Sequence, residues 1–400
     1  MERRWAADVL VVGAGAGGLI IAQRLVDAGF SVAVLERGLV GGEQSNHSHG
    51  YMHRGHIYLE PSLELVRNLS SGADRWRTEM DALGIPPVSD ESSLLFTNPH
   101  ESDVAATAWR KAGLAFSEET DVPAGVRNGA VTRSFLTAEA TFDFTDWLAA
   151  QYSRLAADPA VTFINADVIR LKRESTTVVG AEVSLAGEPV LLSSSFVVLC
   201  AGTGNLDLTE KVIRFRGNAL NRTAPMMVLH GIGLPRLTAM FHGHETHGLF
   251  IASRRSTEGW VWLVSNYVSF AGGAVTSTAI RLWLRDIRST LAERTIGLDD
   301  PQNTWGYYEA PKGELRNIRS AMNSHNVQSY GFDNLLVASP TKLTLTPLLG
   351  DMVMEEIALS LRAYQRPAGT PDLESGSTLS VSPERWKATA LEPVRSLMEL

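Results

Sequence analysis

The start of the chain has the hydrophobic pattern of a strand, a helix and a second strand. Asp8–Val12 is a short β-branched run and indicates a buried strand. Ala16–Ala28 carries apolar residues at helical spacing and ends at Gly29, a helix-stop signal. Ser31–Leu35 returns to strand character. This order predicts the beginning of a parallel sheet.

The remaining pattern predicts further helices and strands in a chain whose length of 400 residues suits two domains. Helices are expected over 61–83, 144–157, 275–294 and 349–361. Buried strands are expected over 161–165, 196–200 and 335–339. Short strands and turns are expected through 86–131, and mainly strands through 214–308.

We therefore predict an α/β chain, α+β in its two-domain layout. The first domain is Rossmann-like with a parallel sheet, and its three pieces cover residues 1–85, 140–213 and 326–366. The second is an inserted, mainly antiparallel β-sheet domain for the substrate, over residues 86–139 and 214–325. Residues 367–400 are expected to form a carboxyl-terminal tail, since 367–384 is rich in Ser, Pro and Gly.

Charge and cysteine content narrow the classes of partner and compartment. A net charge of −8 disfavours nucleic acid, which usually meets a clustered basic face. The only cysteine, Cys200, excludes an internal disulfide and favours a reducing cytoplasm. Arg3 and Arg4 precede an apolar stretch, but glycines interrupt it, so we expect a buried strand there and not a secretion signal. No segment has the apolar length of a membrane span.

The turn after the first strand contains the pattern G-x-G-x-x-G in Gly13–Gly18. Gly13 allows a tight turn, Gly15 lets the backbone approach a pyrophosphate, and Gly18 lets the helix pack on the sheet. The free N–H groups and the dipole of the helix start favour an anion. The second strand is followed by Glu36, an acid placed to accept hydrogen bonds from a ribose, which argues against a 2′-phosphate ligand. The sequence therefore predicts a dinucleotide site.

Two later segments indicate, through a resemblance, whether the dinucleotide is FAD or a nicotinamide cofactor. Val197–Gly202 looks like a second nucleotide strand, and Asp333–Ser339 followed by Leu343–Gly350 looks like a closing strand and helix start. With Gly13–Gly18 they resemble the superfamily of D-amino-acid oxidase, glycine oxidase, sarcosine oxidase and L-2-hydroxyglutarate dehydrogenase. The resemblance implies an FAD-dependent oxidase or dehydrogenase, with FAD on the first domain.

The motif and the resemblance together assign a set of residues to FAD. The assigned residues are Gly13, Gly15, Ala16, Gly18, Glu36, Arg37, Ser45, His47, Ser48, Val168, Ala201, Gly202, Thr344, Leu349 and Gly350. In dimethylglycine-dehydrogenase-like relatives a histidine in H-x-x-G is bonded to the flavin, and His47–Gly50 is similar to that pattern. Covalent attachment through His47 and non-covalent binding both stay open.

The histidine-rich loop Ser48–Tyr58 is similar to the G-x-x-H-x-G-x-x-Y pattern of the L-2-hydroxyglutarate branch, with His53 on the family histidine. Either it is a polar loop whose histidines only form hydrogen bonds, or it faces the isoalloxazine ring. Oxidation of an alcohol needs a base near neutral pKa, which suits histidine. His53 and His49 are therefore the catalytic candidates, and Tyr58 is a candidate for binding substrate.

Arg316 is the second candidate for binding substrate. Glu314–Asn317 occupies the place of a G-L-R-P segment that clamps a carboxylate in glycine-oxidase-like relatives, so Arg316 inherits that role by resemblance. The proline of the family segment is replaced by Asn317, which keeps a structural ion pair open as the alternative. The implied reaction oxidises a C–N or C–O bond of a small amine, amino acid or hydroxy acid, with oxygen or another acceptor.

The sequence also bears on three other functions. The histidines of His242–His247 lack a completing ligand for zinc, so no metal site is expected. A flavin monooxygenase is the nearest alternative, since Gly350–Asp351 resembles one of its motifs, although its D-G motif is missing. A protein that binds FAD without turnover is the alternative from another class. The substrate, the electron acceptor and the oligomeric state stay open.

Overall fold

The chain divides into two compact units in the computed structural model. The structure describes residues 5–185, 187–212, 219–242, 248–271, 275–315, 326–340, 342–361 and 377–399. Unit 1 comprises Met1–Asn46, Phe144–Asn221 and Lys312–Pro383, and unit 2 comprises His47–Asp143, Arg222–Pro311 and Glu384–Leu400. Each unit is made of segments that are distant in sequence.

The helices and strands are numbered here in chain order. The helices are α1 (Ala16–Asp27), α2 (Leu63–Ala82), α3 (Pro99–Ala112), α4 (Phe144–Ala156), α5 (Gly204–Asp207), α6 (Ser277–Arg294), α7 (Thr346–Leu361) and α8 (Val394–Met398). The first ten strands are β1 (Trp5–Val12), β2 (Val32–Glu36), β3 (Tyr51–Met52), β4 (Ser92–Phe96), β5 (Phe116–Glu119), β6 (Arg133–Thr137), β7 (Ala140–Thr141), β8 (Val161–Asn165), β9 (Asp167–Glu174) and β10 (Thr177–Leu185). The others are β11 (Glu188–Leu199), β12 (Ala219–Gly231), β13 (Thr238–His242), β14 (Leu249–Ser256), β15 (Gly259–Ser265), β16 (Phe270–Ala271), β17 (Thr304–Leu315), β18 (Asn326–Gln328), β19 (Leu335–Ser339) and β20 (Glu392–Pro393).

Unit 1 is built on a largely parallel sheet in the order β18–β19–β11–β1–β2–β8. β1 lies parallel to both β2 and β11, and β2 lies parallel to β8. Four of the five residues of β2 are buried, as expected of a strand covered on both faces. The antiparallel strands β9 and β10 extend the sheet from β11. The predicted Rossmann-like architecture is confirmed.

Unit 2 is built on a mainly antiparallel sheet in the order β20–β17–β12–β15–β14–β13–β4–β6–β5, as predicted for the second domain. The pair β4 and β13 is parallel. α6 buries Ile280, Trp283, Leu284, Ile287 and Leu291 at helical spacing in the same core as residues of this sheet. Thr276 caps this helix by accepting a hydrogen bond from the amide of Ala279 at 3.2 Å.

The prediction of strands and turns over 86–131 is wrong at α3. The buried face of this helix consists largely of small residues, Ser102, Ala105 and Ala106, beside Trp109. A face of small residues gives a weak amphipathic signal. The signals at the ends are clear, with Pro99 at the first turn and Gly113 in the left-handed conformation at φ 75°.

The division into units differs from the predicted domains at several places, among them residues 312–315 and 377–383, which belong to unit 1. Residues 47–85 belong to unit 2, where Val66 of α2 shares a core with Phe96 and Trp109. Residues 384–400, predicted as part of a tail, also belong to unit 2. There β20 pairs with β17, and Val394 and Leu397 are buried in the core that contains α6. Elements of two to five residues are too short for a periodic pattern to reveal them.

Candidate functional site

The turn between β1 and α1 has a backbone that only glycine satisfies at its key positions. Gly13 lies at φ +106°, and a Cβ there would stand 2.6 Å from the carbonyl oxygen of Cys200. A Cβ on Gly18 would overlap the carbonyl oxygen of Gly13. The amide of Gly13 donates to the oxygen of Leu35 at 2.8 Å, which ties the turn to β2. The turn is therefore held tightly between strands, as a pyrophosphate-binding turn requires.

The amino terminus of α1 meets the segment that follows β2. Gly15 is the N-cap in an extended conformation, and the amide of Ala16 donates to Ser45 Oγ at 2.9 Å. A Cβ on Gly15 would lie 3.0 Å from that hydroxyl oxygen. Three residues predicted to bind the cofactor thus meet within unit 1. The helix start provides N–H groups and a positive dipole end for a phosphate.

Glu36 occupies the position predicted for the ribose-binding acid at the end of β2. Its Oε2 accepts from the amide of Ala14 at 2.8 Å, and its Oε1 accepts from the amide of Gly38 at 2.9 Å. These bonds hold the carboxylate beside the glycine turn, with further acceptor capacity for ribose hydroxyls. The neighbouring Arg37 is exposed.

The chain returns to the glycine turn after β11. The amide of Ala201 donates to Asn205 Oδ1 at 2.9 Å, and Gly202 adopts a left-handed conformation at φ +55°. The backbone of Gly313 comes so close to Gly202 that a Cβ on Gly313 would lie 2.7 Å from its carbonyl carbon. Two predicted residues therefore lie in a second glycine-dependent turn of unit 1.

The start of α7 carries two buried hydroxyl groups. Within the described part of the chain, Thr344 Oγ1 and Thr346 Oγ1 are both buried and have no hydrogen-bond partner. Such groups are costly unless a ligand or water satisfies them. Leu349 is fully buried, and a Cβ on Gly350 would collide with Ile20 of α1. Gly350 therefore has a packing role independent of any ligand.

The other cofactor residues lie in both units. Val168 is a buried residue of β9 within the core of unit 1. His47 belongs to unit 2, where its ring makes an edge contact with Tyr308 at 5.8 Å between ring centroids. Ser48 Oγ accepts from the amide of Gly50 at 3.2 Å.

The main polar cluster of unit 2 surrounds Glu139, which has no exposed surface. Oε2 accepts from the hydroxyl of Tyr51 at 2.6 Å, and Oε1 accepts from Nδ1 of His56 at 3.0 Å. Oε1 also accepts from the amides of Arg54, Gly55 and His56. One carboxylate therefore bonds four residues of the predicted histidine loop. Because an ionised carboxylate only accepts, Nδ1 of His56 carries the proton.

The surroundings of Glu139 keep it ionised. Burial alone would raise its pKa, but the hydrogen bond from His56, the charges of His56 and His53 and the hydrogen bond from Tyr51 outweigh it. Together they lower the pKa of Glu139 to about 2. The cluster therefore contains a fixed negative charge at neutral pH.

The predicted residues His53 and Tyr58 are close together in unit 2. His53 is 9% exposed, and its ring lies between those of Tyr51 at 6.3 Å and Tyr58 at 6.2 Å, measured between centroids. Burial, assisted by the charge of Glu139, raises the pKa of Tyr58 well above its usual range. Tyr58 is therefore neutral and keeps its phenolic proton.

The second catalytic candidate, His49, has its own fixed surroundings. Its Nε2 lies 2.8 Å from Ser265 Oγ, and its backbone oxygen accepts a hydrogen bond from Nη2 of Arg254. Arg254 is 2% exposed, and its Nη1 donates to the oxygen of Ser253 at 2.8 Å. Burial lowers the pKa of Arg254, while the charges of Asp143 and Glu384 act in the opposite direction.

Two other features predicted from the sequence are Arg316 and the histidines of His242–His247. Arg316, His244 and His247 lie outside the described residues. His242 is buried and stacks on Phe96 with centroids 4.4 Å apart. Burial is the largest cause that lowers the pKa of His242 to about 3. Within the described ranges, no group of three or more His, Cys, Asp or Glu side chains is arranged to hold a metal ion.

Three residues of these clusters were missed in the sequence: Glu139, Tyr51 and Arg254. Glu139 is one acid in an ordinary segment, and nothing local marks it as a partner of the histidine loop. Tyr51 lies within the predicted loop, and its alternation with His49 and His53 was the one available signal. Arg254 gives no such signal.

A parallel sheet, a glycine turn and an acid at the end of the second strand define unit 1 as a dinucleotide-binding fold of the oxidoreductase type. The chain belongs to the DAO family of FAD dependent oxidoreductases, whose profile matches residues 8–356. It is thus an FAD-dependent enzyme. The glycine turn between β1 and α1 and the buried hydroxyls of Thr344 and Thr346 fit that cofactor.

The chain is similar to several known proteins. It is 24% identical to the probable FAD-dependent oxidoreductase PA4991 of Pseudomonas aeruginosa over 372 residues, covering 88% of this chain and 91% of that protein. The crystal structure of PA4991 matches with a TM-score of 0.71 and 20% identity, over 97% of this chain and 99% of that one. Glycine oxidase from Geobacillus kaustophilus matches with a TM-score of 0.67 and 16% identity, over 89% and 95%. FAD-bound L-alpha-glycerophosphate oxidase from Mycoplasma pneumoniae matches with a TM-score of 0.69 and 14% identity, over 89% and 95%. At these identities the structural matches show the fold alone.

Among the described residues, no helix combines the length and the hydropathy needed to cross a membrane.

Proposed function

We propose that this enzyme oxidises a C–N or C–O bond of a small amine, amino acid or hydroxy acid. Bound FAD would supply the acceptor for the hydride that leaves the substrate C–H bond. The heteroatom loses a proton in the same oxidation, and His53 takes that proton. The observation that carries this proposal is the position of His53, buried between Tyr51 and Tyr58 beside the ionised Glu139.

The tasks of binding FAD and binding substrate fall to different residues. The glycine turn, Glu36, Ser45 and the hydroxyl of Thr344 would hold FAD through backbone donors, ribose contacts and a hydrogen bond. In unit 2 the neutral hydroxyl of Tyr58 would orient the substrate. Arg316 stays the predicted partner of a substrate carboxylate, because a guanidinium can donate two parallel hydrogen bonds to it.

His53 and His49 are distinguished by what surrounds them. His53 has the buried, ionised carboxylate of Glu139 nearby, whose charge would stabilise a proton received by the imidazole. His49 has Ser265 Oγ at 2.8 Å and its backbone held by Arg254. We therefore assign proton transfer to His53 and a positioning role in the loop to His49.

Anaerobic reduction of the flavin tests the proposed reaction. The purified holoprotein is mixed without oxygen with glycine, D-alanine, sarcosine and 2-hydroxyglutarate, and the flavin absorbance near 450 nm is followed. Bleaching by at least one of these compounds is expected. No bleaching by any of them, combined with rapid bleaching by NADPH, would favour the monooxygenase alternative.

Acid precipitation decides between covalent attachment of the flavin through His47 and non-covalent binding. A yellow pellet is the expected result of covalent attachment, and His47→Ala should then release the colour into the supernatant. A yellow supernatant from the wild-type protein would show that FAD is bound without a covalent bond.

A further inference from the structure

The carboxylate of Glu139 is closed to a substrate, because it is fully buried and most of its acceptor positions are occupied. An ionised carboxylate offers about four acceptor positions. Oε2 is used by Tyr51, and Oε1 is used by Nδ1 of His56 and by the amides of the turn. The side chain is also fully buried. Glu139 is therefore neither a ligand for a substrate ammonium group nor the base that receives a proton, and its influence passes through its neighbours.

Its first influence is geometric. The amides that Glu139 accepts from belong to Arg54, Gly55 and His56, which directly follow His53 in the chain. The hydroxyl bond to Tyr51 fixes the residue two positions before His53. The carboxylate therefore holds the backbone after His53 and the side chain of Tyr51 before it, and with them the position of the imidazole between two tyrosine rings.

Its second influence is electrostatic, because its buried negative charge acts on His53 and is offset only in part by the charge of His56. Burial is the first cause that raises the pKa of Tyr51, Tyr58 and Tyr267, so these phenols are neutral. Arg54 is paired with Asp74 at 2.5 Å. His56 donates the proton on its Nδ1 to Glu139. Burial lowers the pKa of His242 to about 3, so that ring is neutral.

We propose that Glu139 is the positioning residue of this active site, which holds the turn that carries His53 and stabilises the protonated form of that imidazole through its buried charge. This inference rests on the proposed function only in the role that it gives to His53. A base that is preorganised and made stronger by a fixed carboxylate takes a proton from a substrate without reorganising its surroundings.

Histidine NMR tests this proposal without any substrate. Holoprotein labelled with carbon-13 at histidine Cε1 is titrated between pH 5 and 9, and the His53 signal is assigned by its loss in His53→Gln. Glu139→Asp keeps the charge and should retain the wild-type titration of His53. Glu139→Gln keeps the shape without the charge and should lower the pKa of His53 by about one unit or more. Glu118→Gln, which removes an exposed carboxylate of the same unit, is the matched control and should change nothing.

The pair of variants separates charge from packing. Glu139→Gln with an unchanged His53 titration, or a shift in Glu139→Asp alone, would overturn the proposal and assign Glu139 to packing. If Glu139→Gln does not fold, Tyr51→Phe is the second variant. Because Tyr51 no longer donates a hydrogen bond to the carboxylate, the negative charge of Glu139 acts more strongly on His53, and the pKa of His53 should rise. An unchanged or lower pKa would overturn the proposal.

Failure of the proposed function would appear instead as absence of flavin bleaching by the substrates, with this titration unaffected.

Discussion

The two units differ in the kind of group that forms their candidate sites. In unit 1 the groups proposed to bind a nucleotide are mostly backbone N–H groups, placed by glycines a few residues apart. In unit 2 the groups of the proposed substrate site are side chains from distant parts of the chain. Glu139 meets His56 across 83 positions, and Arg254 meets His49 across 205. A backbone site is thus specified by a local motif, whereas a side-chain site depends on the folding of the whole unit.

This difference explains how much of the protein could be predicted from its sequence. The strands at 161–165 and 335–339 have the expected bounds, and the fold class is confirmed. Glycine positions follow from the sterics of one turn, so Gly13 and Gly18 could be found without a structure. The partner of the histidine loop could not, because no local pattern connects Glu139 to residues that it meets only in the folded state.

The largest effect is expected in the glycine turn. Gly13→Ala places a Cβ at φ +106° and 2.6 Å from the oxygen of Cys200, so the backbone must move. We expect at least a roughly tenfold loss of bound FAD, measured as the ratio of absorbance at 450 and 280 nm after purification. Gly29→Ala is the control, since Gly29 has φ +85° with nothing within 4 Å. Equal flavin loss in both variants would show that strain, and not the close approach, is responsible.

The next largest effect is a loss of stability when the buried carboxylate of Glu139 is removed. Glu139→Leu leaves the hydroxyl of Tyr51, Nδ1 of His56 and buried amides without an acceptor, so unfolding in urea should become about 3–5 kcal/mol easier. Tryptophan fluorescence reports on this unit, which contains Trp76 and Trp109. The stabilisation by the ionised group is present above its usual pKa of 4.5 and lost as pH falls toward about 2. Equal stability of variant and wild type at pH 7 would contradict the assigned contacts.

A smaller effect is expected for His242. Its pKa falls from 6.5 to about 3 on folding, so the unfolded chain binds the proton more readily. The stabilisation is complete above pH 6.5 and is lost as pH falls toward 3. Between pH 7 and 5 the wild type should lose about 2 kcal/mol more than His242→Gln, measured by urea unfolding at both pH values. Parallel losses in the two proteins would show that His242 is not buried as a neutral ring.

The smallest effect is expected at the surface of unit 2. Arg133 bonds Glu118 at 2.8 Å, but the glutamate side chain is 50% exposed, so solvent screens the pair. Glu118→Gln should change the free energy of unfolding by less than about 1 kcal/mol. A larger loss in urea unfolding would show that charge at the surface matters as much as the buried network.

The most direct test of the central claim measures flavin reduction in a variant of His53. Wild type, His53→Gln and the control His100→Gln, which changes an exposed histidine of α3, are mixed anaerobically with the compound that bleaches the wild-type flavin fastest. Because the base supplies a factor of about 10²–10⁴, His53→Gln should keep its FAD and reduce it at least 100-fold more slowly. His100→Gln should match the wild type. Equal rates in all three proteins would contradict the assignment of proton transfer to His53.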